Sequence, residues 1–477
     1  MYFYLREIAP MGIKFPGIKI PLVSLVLAVF FSNAAFAATD IELLRQEINN
    51  MRQNYEQRIQ ALEARLKVAE QNAVQTETKV TQVEQKVASV ESPRGNSVNA
   101  FNPAISLVLD GRYANFENDG DYELPGFALG NEAGLGESGM SLGHTEIVAS
   151  ANIDDRFYGQ VTAAIDEHDG ETEVELEEAF LQTLGLGNGL TIKAGRFFSA
   201  IGYLNEQHEH AWDFADAPLI YRGLFGNHLR DDGVQISYVA PTDTFLEVGV
   251  EALRGSRFPA GGEQDNVGAW TGFANIGGDI GVEHSWLLGV SHWRADDIEG
   301  RTSGGHAHGH EGEEEEETPS FTGDSEISAF ELVYKWAPNG NPSHRNLEFQ
   351  FEYFDRDEDG TVTLLNSDPL EVTSYDGEQS GWYAQAVYQF MPQWRTGLRY
   401  DELDSDNTGS DFDLLGEAGL DDEGHTPKRY SAMVEWLPSE FSRIRLQFNR
   451  DESYEDSDNQ LFLQYTHSLG SHGAHQF

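Results

Sequence analysis

Histidines and carboxylates are concentrated in two short segments of this 477-residue sequence. In the segment Gly304–Glu317, three alternating histidines, His306, His308 and His310, lead into Glu311 and further glutamates. Imidazole is a ligand for Zn²⁺, Cu²⁺ and Ni²⁺, and a histidine-rich tract can gather such an ion without a preformed cage. The pattern favours capture of a divalent metal over a merely solvated loop, and the identity of the metal stays open.

The second segment, Asn205–Asp216, contains His208, His210, Asp213 and Asp216. Histidine and aspartate at this spacing are suited to a divalent ion. The sequence leaves two alternatives open: these side chains bind such an ion, or they only attach the segment to surrounding structure through hydrogen bonds. In either case we expect them to line a pore.

A third pattern, Asp355, Asp357 and Asp359 followed by Gly360, matches the beginning of a calcium-binding EF-hand loop. The twelfth position is Asn366 rather than glutamate, so the run is a weak calcium candidate and an acidic outer loop is the alternative. The sequence contains no pairing of a nucleophile with a base and no phosphate-binding loop. We therefore predict that the protein is not an enzyme and requires no cofactor, with zinc or another divalent ion as a candidate ligand.

The composition is strongly acidic, with 80 Asp and Glu against 31 Lys and Arg and a formal charge of −49. Such a chain repels nucleic acid, which is excluded as a partner, and attracts cations. The sequence contains no cysteine, which suits an oxidising compartment.

The beginning of the sequence has the pattern of a secretory signal peptide. Lys14 and Lys19 precede the apolar stretch Ile20–Phe31, and Ala35–Ala37 has the small-x-small form of a cleavage site. The apolar stretch is too short for a spanning helix. We expect residues 1–37 to be removed during secretion.

Residues 38–91 follow a heptad pattern. Apolar side chains recur at spacings of three and four from Ile41 to Val90, and the positions between them are mostly charged or amide residues. This narrow stripe predicts a coiled coil about 75 Å long, with a single amphipathic helix lying on a surface as the alternative. Turn-forming residues in Ser92–Ser97 end the helix, and residues 92–103 form a linker.

From residue 104 onward the period changes from 3.5 to 2. We identify sixteen candidate strands between 104 and 469, such as Asn346–Phe354 and Ser442–Arg450, with short turns alternating with longer acidic loops. This rhythm predicts an all-β transmembrane barrel, residues 104–477, of about 16 antiparallel strands, with the N-terminal α-helical coiled coil in the periplasm. A secreted array of β-sandwiches is the alternative. Segment 295–324, with its histidines and glutamates, becomes an outer loop.

One region resembles a known family. The stretch Gly195-Arg196-Phe197, Gly202, Asn205, Asp213, Arg222 and Asp231-Asp232-Gly233-Val234-Gln235 is similar to the central segment of the phosphate-selective porin O/P-like family. The resemblance implies that residues 199–230 form a constriction loop folded into the pore, with Arg222, Arg230, Asp231 and Asp232 lining it. Together with the ending His472–Phe477, this region is similar to uncharacterised proteobacterial outer-membrane proteins, some labelled zinc-regulated, TonB-dependent receptors.

These features together predict a porin-type channel in the Gram-negative outer membrane. The excess of carboxylates favours passage of cations, and the resemblance favours zinc as the divalent cargo. Sixteen-stranded porins are typically trimers, so we expect a homotrimer surrounded by outer-membrane lipid. Two alternatives stay open: an envelope tether whose coiled coil holds peptidoglycan or a periplasmic partner, and an uptake channel for a metal chelate such as a siderophore.

Overall fold

The computed structural model describes residues 103–470, except 118–123, 131–132, 137, 169–170, 263–265, 304–317 and 455. The predicted signal peptide, coiled coil and most of the linker lie outside the described residues, as do His306, His308, His310 and Glu311. Within the described part of the chain, no helix has both the length and the hydropathy needed to cross a bilayer.

The described strands form one closed antiparallel barrel. β1 pairs with both β2 and β3, each strand from β3 onward pairs with the next one in sequence, and β1 pairs with β17 to close the sheet. A closed sheet satisfies the backbone hydrogen bonds of every strand and leaves no open edge, which is what a lipid environment requires. The strands are β1 Ala104–Asn115, β2 Gly139–Leu142, β3 Thr145–Asn152, β4 Phe157–His168, β5 Glu171–Thr183, β6 Leu190–Phe198, β7 Arg230–Val239, β8 Phe245–Leu253, β9 Ala269–Ile280, β10 His284–Thr302, β11 Thr318–Trp336, β12 Asn346–Leu365, β13 Glu371–Met391, β14 Trp394–Gly409, β15 Lys428–Ser439, β16 Ser442–Glu452 and β17 Asp458–Gly470.

The first crossing after β1 consists of two short strands rather than the single predicted strand Met140–Asp154. Strand β2 pairs with the second half of β1 and β3 with its first half. The interruption falls at Gly143 and His144, which belong to neither strand. With β2 and β3 counted as one crossing, the described strands make the predicted sixteen, so this prediction is confirmed.

Alternation of side chains gives the barrel an apolar outside and a polar inside. In β16, Leu446 and Phe448 are 45% and 47% exposed on the outer face, whereas Arg445, Gln447 and Asn449 are buried in the lumen. Lipid contact accounts for the first set and a hydrogen-bonded interior for the second. The barrel therefore spans a membrane.

Strands β10 to β14 continue well beyond the predicted lengths. β12 has 20 residues, about twice what a membrane crossing needs, and Asp355, Asp357 and Asp359 lie within it instead of in a loop. All three are exposed on the outer face, just beyond Tyr353, which pairs with Trp382 in β13. Extended backbone spreads their carboxylates along the strand, so the predicted calcium loop does not form there.

The short turns lie together at one end of the barrel. Ser106 of β1 pairs with Gly470 of β17, and Ser150, beside the turn into β4, pairs with Ala104. The chain therefore enters and leaves the barrel at the short-turn end. Long connections emerge at the opposite end, and two of them fold inward, as described next. Two short helices occur in the described connections: α1 Leu219–Phe225 and α2 Phe412–Glu417.

Candidate functional site

Residues 199–229 connect β6 to β7 through the inside of the barrel, and we call them the constriction segment. Asn205 holds the two ends of this segment together. Its side-chain amide donates to the carbonyl oxygens of Ser199 at 2.7 Å and of Leu229 at 2.8 Å. The backbone NH of Leu229 donates back to Asn205 Oδ1 at 2.8 Å. The side chain of Asn205 thus links the first and last residues of this long loop.

Carboxylates of the barrel wall hold the backbone of the constriction segment. Glu251 of β8 accepts from Ser199 Oγ at 2.5 Å and from the backbone NH of Ala200 at 2.9 Å. Glu352 of β12 accepts from the backbone NH of Leu204 at 3.2 Å and from the Tyr221 hydroxyl at 2.7 Å. Part of the acidic composition is therefore used for packing the loop.

Asp213 and Asp216, predicted as metal ligands, lie against arginines of the wall. Asp216 forms ion pairs with Arg399 at 2.8 Å and Arg429 at 2.9 Å, and Asp213 forms one with Arg395 at 3.1 Å. Burial alone would raise the pKa of Asp216, but Arg429 and Arg399 hold it below its usual range. Both aspartates therefore anchor the segment, which is the attachment role that the sequence left open.

Of the predicted pore-lining residues, Arg230 faces a cavity and Arg222 does not. Arg222 in α1 is buried and donates from Nε to the carbonyl oxygen of Ala133 at 2.7 Å. Ala133 belongs to the connection between β1 and β2, which also folds inward. In that connection Leu124 and Phe127 are buried in the same core as α1. The sequence did not reveal this second inward loop, which narrows the barrel further.

Asp231 and Asp232 are adjacent in β7 and so face opposite sides of the wall. Asp231 is buried, and its Oδ2 accepts from the backbone NH of Gly255 at 2.6 Å. Asp232 has the parity of Val234, which is 43% exposed on the outer face, and pairs there with Arg196 at 2.8 Å. The prediction that Asp232 lines the pore is therefore wrong, because strand alternation turns it outward.

A cavity of about 820 Å³ lies inside the barrel. Gly278 and Asp279, from the end of β9 next to a short turn, are among the residues that line it, so it opens toward the short-turn end. Its charged lining is mainly acidic. The ionisable side chains of this inner cavity, apart from tyrosine, are Glu178, Glu206, Glu247, Asp279, Glu331, Lys193, His208 and His210.

A smaller cavity of about 270 Å³ lies toward the long-loop end. Arg230, Arg257 and Arg301 line it, and each is matched by a glutamate. Arg257 and Arg230 both pair with Glu175, and Arg301 forms a two-point ion pair with Glu358 at 2.6 and 3.0 Å. This outer cavity thus has a cationic lining that its partners largely neutralise.

Aromatic rings separate the two cavities. Phe198 lines the inner cavity and His228 the outer one, and their ring centroids are 4.5 Å apart. His208 lies on the other side of Phe198 at 5.1 Å. Burial lowers the pKa of His228 to about 3, so this ring is neutral. The boundary between the two cavities therefore lies at Phe198 and His228, beside His208.

His208 and His210 reach carboxylates of the barrel wall. His210 Nδ1 lies 2.6 Å from Glu146 Oε1, and His208 Nδ1 lies 3.3 Å from both Glu146 Oε2 and Glu177 Oε2. The other ring nitrogen of His208 lies 3.0 Å from Glu178 Oε2. The structure thus brings two of the four predicted ligands of this segment together against three glutamates.

A third histidine, His144, joins them from the interruption between β2 and β3. Its Nε2 lies 3.1 Å from Glu177 Oε1 and 3.5 Å from Glu146 Oε1, and its Nδ1 lies 3.1 Å from Asp166 Oδ1. We use the name His–Glu cluster for the six residues His144, Glu146, Glu177, Glu178, His208 and His210.

A bulge in β5 supplies two of the glutamates. Thr162 of β4 pairs with Glu178, while the next residue, Ala163, pairs with Leu176, so Glu177 is one residue too many. A bulge re-aims a side chain, and both Glu177 and Glu178 are buried inside the barrel.

The interruption between β2 and β3 has the same effect on the other side of β4. Leu142 and Ile147 are both exposed on the outer face although five positions separate them, so the parity changes between them. The inward residues of β4 at this level, Thr162 and Ala164, are small and buried. The cluster thus lies over a floor of small side chains, between two irregular strands.

The charge of the cluster can be balanced by protons or by a cation. Burial lowers the pKa of His208, but Glu146, Glu177 and Glu178 more than offset this and raise it well above its usual value. Burial raises the pKa of the neighbouring Glu209 to about 7, although His144 opposes this. In the absence of a metal ion, protonated His208 therefore ties the constriction segment to the wall.

Sequence reasoning missed His144, Glu146, Glu177 and Glu178. The available signal was a break in alternation: Glu177 and Glu178 are consecutive charged residues inside a strand. In the predicted strand Met140–Asp154, likewise, the alternation of apolar and polar residues changes phase at His144. Such breaks mark bulges, but they do not show which distant side chains they bring together.

No family model matches the chain, but the comparisons by structure and by sequence give similar proteins. Among solved structures, it is similar to the outer membrane channel DcaP of Acinetobacter baumannii (TM-score 0.48, 12% identity, 79% of this chain and 100% of that one). It is also similar to the trimer form of OmpT, an outer membrane protein of Vibrio cholerae (TM-score 0.45, 11% identity, 77% and 99%). A third is an anion-selective porin from Comamonas acidovorans (TM-score 0.41, 10% identity, 77% and 99%).

The sequence similarity is to an uncharacterized protein of Aquifex aeolicus (strain VF5). The two chains are 32% identical over 413 residues, which cover 80% of this chain and 81% of the other. Identity at this level over most of both chains means a common fold and descent. The protein belongs to the family of this Aquifex aeolicus chain.

Proposed function

We propose that the protein is an outer-membrane channel for small solutes that prefers cations, with divalent metal, zinc first, as its favoured cargo. The observation that carries this proposal is the inner cavity, whose lining has five acidic side chains against Lys193 and the two histidines His208 and His210. A narrow passage lined by one sign of charge concentrates ions of the opposite sign. The apolar outer face of the barrel and the predicted signal peptide support an outer-membrane location.

The outer end of the barrel supports a role for the histidine-rich segment. Thr302, the last residue of β10, lines the outer cavity, and His306, His308 and His310 follow it in the sequence. Ligands attached at a channel mouth raise the local concentration of the ion they bind. Zinc would meet these histidines before it meets the cavity.

Reversal potentials across planar bilayers in a KCl gradient test the cation preference. We expect K⁺ to be favoured over Cl⁻, and Glu247→Gln together with Asp279→Asn to lower the permeability ratio about twofold, because they remove charge from the inner cavity. Asp357→Asn, on the outer face of β12, is the matched control and should change nothing. Anion preference of the unmodified protein would refute the proposal. Entry of zinc into liposomes loaded with a zinc-sensitive dye tests the cargo. Entry should be faster into liposomes that contain the protein than into liposomes that lack it.

A further inference from the structure

We infer that His144, Glu146, Glu177 and His208 bind one resident divalent ion of the zinc type. This ion attaches the constriction segment to the barrel wall. Three of these side chains come from the wall and one from the segment. Such an ion is distinct from ions in transit, and its binding does not depend on the selectivity of the channel.

The distances between the ligand atoms fit a small tetrahedral ion. A zinc ion with bonds of about 2.0–2.1 Å holds its ligand atoms about 3.3 Å apart. His144 Nε2 lies 3.1 Å from Glu177 Oε1 and 3.5 Å from Glu146 Oε1, and the ligand atoms of these three side chains lie within 4.8 Å of one another. His208 Nδ1 lies 3.3 Å from the other oxygen, Oε2, of each glutamate. His208 therefore joins the same ion once the two carboxylates rotate to present an oxygen to both imidazoles.

Two buried atoms of this set lack hydrogen-bond partners among the described residues. Glu146 Oε2 and His144 Nε2 are both enclosed and make no hydrogen bond of suitable geometry, although His208 and Glu177 lie within 3.3 Å of them, and the Glu146 side chain is fully buried. A buried carboxylate oxygen without a partner costs free energy, and a metal bond removes that cost.

The local charge also favours a cation. Glu146, Glu177 and Glu178 lie together, and the described arginine nearest to them, Arg230, is 3.7 Å from Glu177 and also pairs with Glu175. A divalent ion offsets two of these charges in a buried place where water cannot. Two imidazoles beside the carboxylates select zinc-like ions over Mg²⁺ and Ca²⁺, which prefer all-oxygen sites.

Other side chains around the site are placed to hold the metal ligands in position through hydrogen bonds. His210 hydrogen-bonds the ligand Glu146 at 2.6 Å, and Asp166 lies 3.1 Å from Nδ1 of His144, the nitrogen that faces away from the ion. A carboxylate on the far nitrogen of a metal-bound imidazole fixes its tautomer and orientation. The pair Asp166–His144 therefore has the form of a metal-ligand relay.

Zinc titration of the full-length protein by calorimetry tests the site, on a background of His306→Ala, His308→Ala and His310→Ala that removes the predicted outer ligands. We expect one zinc ion per chain, bound at least tenfold more weakly after His208→Ala. His292→Ala is the matched control, since His292 is 52% exposed on the outer face of β10, and should leave binding unchanged. No stoichiometric zinc in the background protein, or equal affinity after His208→Ala, would overturn the inference.

X-ray absorption at the zinc edge gives a readout that does not require a folded variant. We expect a shell of nitrogen and oxygen at about 2.0–2.1 Å with the signature of two imidazoles, and a six-coordinate shell without imidazole would contradict the assignment. Chelation should also increase open-channel current noise, because the constriction segment loses a tie to the wall. A site that binds zinc in a channel without cation preference would refute the proposed function and leave this inference standing.

Discussion

Asp216 and Glu177 are both carboxylates inside the barrel, and their partners give them different roles. Asp216 is enclosed by Arg399, Arg429, Gln447 and Asn449, with contacts of 2.7–2.9 Å. Glu177 instead meets two histidines. Arginine remains charged and fixes a carboxylate in place, whereas histidine can exchange its proton for a metal. The same residue class therefore anchors the loop at one point and offers a ligand at another.

We predict that Asp216→Ala detaches this part of the constriction segment. Breaking a buried ion pair from one side costs about 3–5 kcal/mol, because Arg399 and Arg429 lose their shared carboxylate. The temperature at which the barrel loses its compact gel migration should fall, and channel conductance should rise. Asp232→Ala breaks a partly exposed pair on the outer face and should cost less than 1 kcal/mol. Equal effects of the two changes would show that Asp216 is not an anchor.

Acid should weaken the same anchor. The pKa of Asp216 is held below its usual range, so the carboxylate stabilises the fold fully above the unfolded value of about 4. This stabilisation declines as the pH falls through the lower folded pKa. Unfolding midpoints measured from pH 6 down to pH 2 should drop steeply only at the acidic end, and less so in Asp216→Ala. A drop of the same size in the variant would assign the acid effect to other groups.

At the scale of elements, the alternation of side chains predicted the lipid-facing part of each strand well and its ends poorly. β16 matches its prediction because apolar and polar residues alternate throughout it. β12 was predicted to end at Phe354, because Asp355–Gly360 has no apolar alternation, yet the ladder continues to Leu365. Inside the barrel, Arg356 and Glu358 remain buried at this level. The outward-facing aspartates mark where the strand leaves the apolar layer of the membrane. They do not mark where the strand ends.

The candidate site was only half predictable for a related reason. His208 and His210 attract attention by composition, and the resemblance indicates that their loop folds inward. His144 and Glu177 are isolated residues whose meeting depends on irregular strands and on the register of β3, β4 and β5. The local spacing of residues does not predict which distant positions will meet in the folded barrel. The phosphate-selective resemblance and the zinc label stay predictions.

Gly195, at the entrance to the constriction segment, should tolerate no side chain. Its φ is +129°, and a Cβ there would lie 2.2 Å from the carbonyl oxygen of Ala179. Gly195→Ala should therefore lower stability by about 1–3 kcal/mol, measured as the shift in the gel-migration midpoint. Gly272→Ala in β9, where a Cβ meets nothing within 4 Å, is the control and should change stability little. Equal midpoints for both variants would show that the close approach of Gly195 in β6 to Ala179 does not limit stability.

At the scale of the whole molecule, we expect a homotrimer with one channel in each barrel. Mass measurement in detergent should give three chains, and bilayer recordings should show closures in three equal steps. Deleting residues 38–91, the predicted coiled coil, should leave single-channel conductance unchanged because the described barrel contains the inward loops. A change in conductance upon this deletion would mean that these residues take part in conduction, and a monomeric mass would contradict the trimer.

The unequal strand lengths have a consequence for how molecules reach the channel. β13 has 21 residues and β8 has 9, so at about 3.3 Å per residue and a tilt of about 45° the two sides differ in height by roughly 25–30 Å. The rim is therefore oblique. Small ions diffusing along the cell surface arrive freely over the low side, β6 to β8. A folded protein approaching from the opposite side meets the tall wall first and is kept at a distance from the passage.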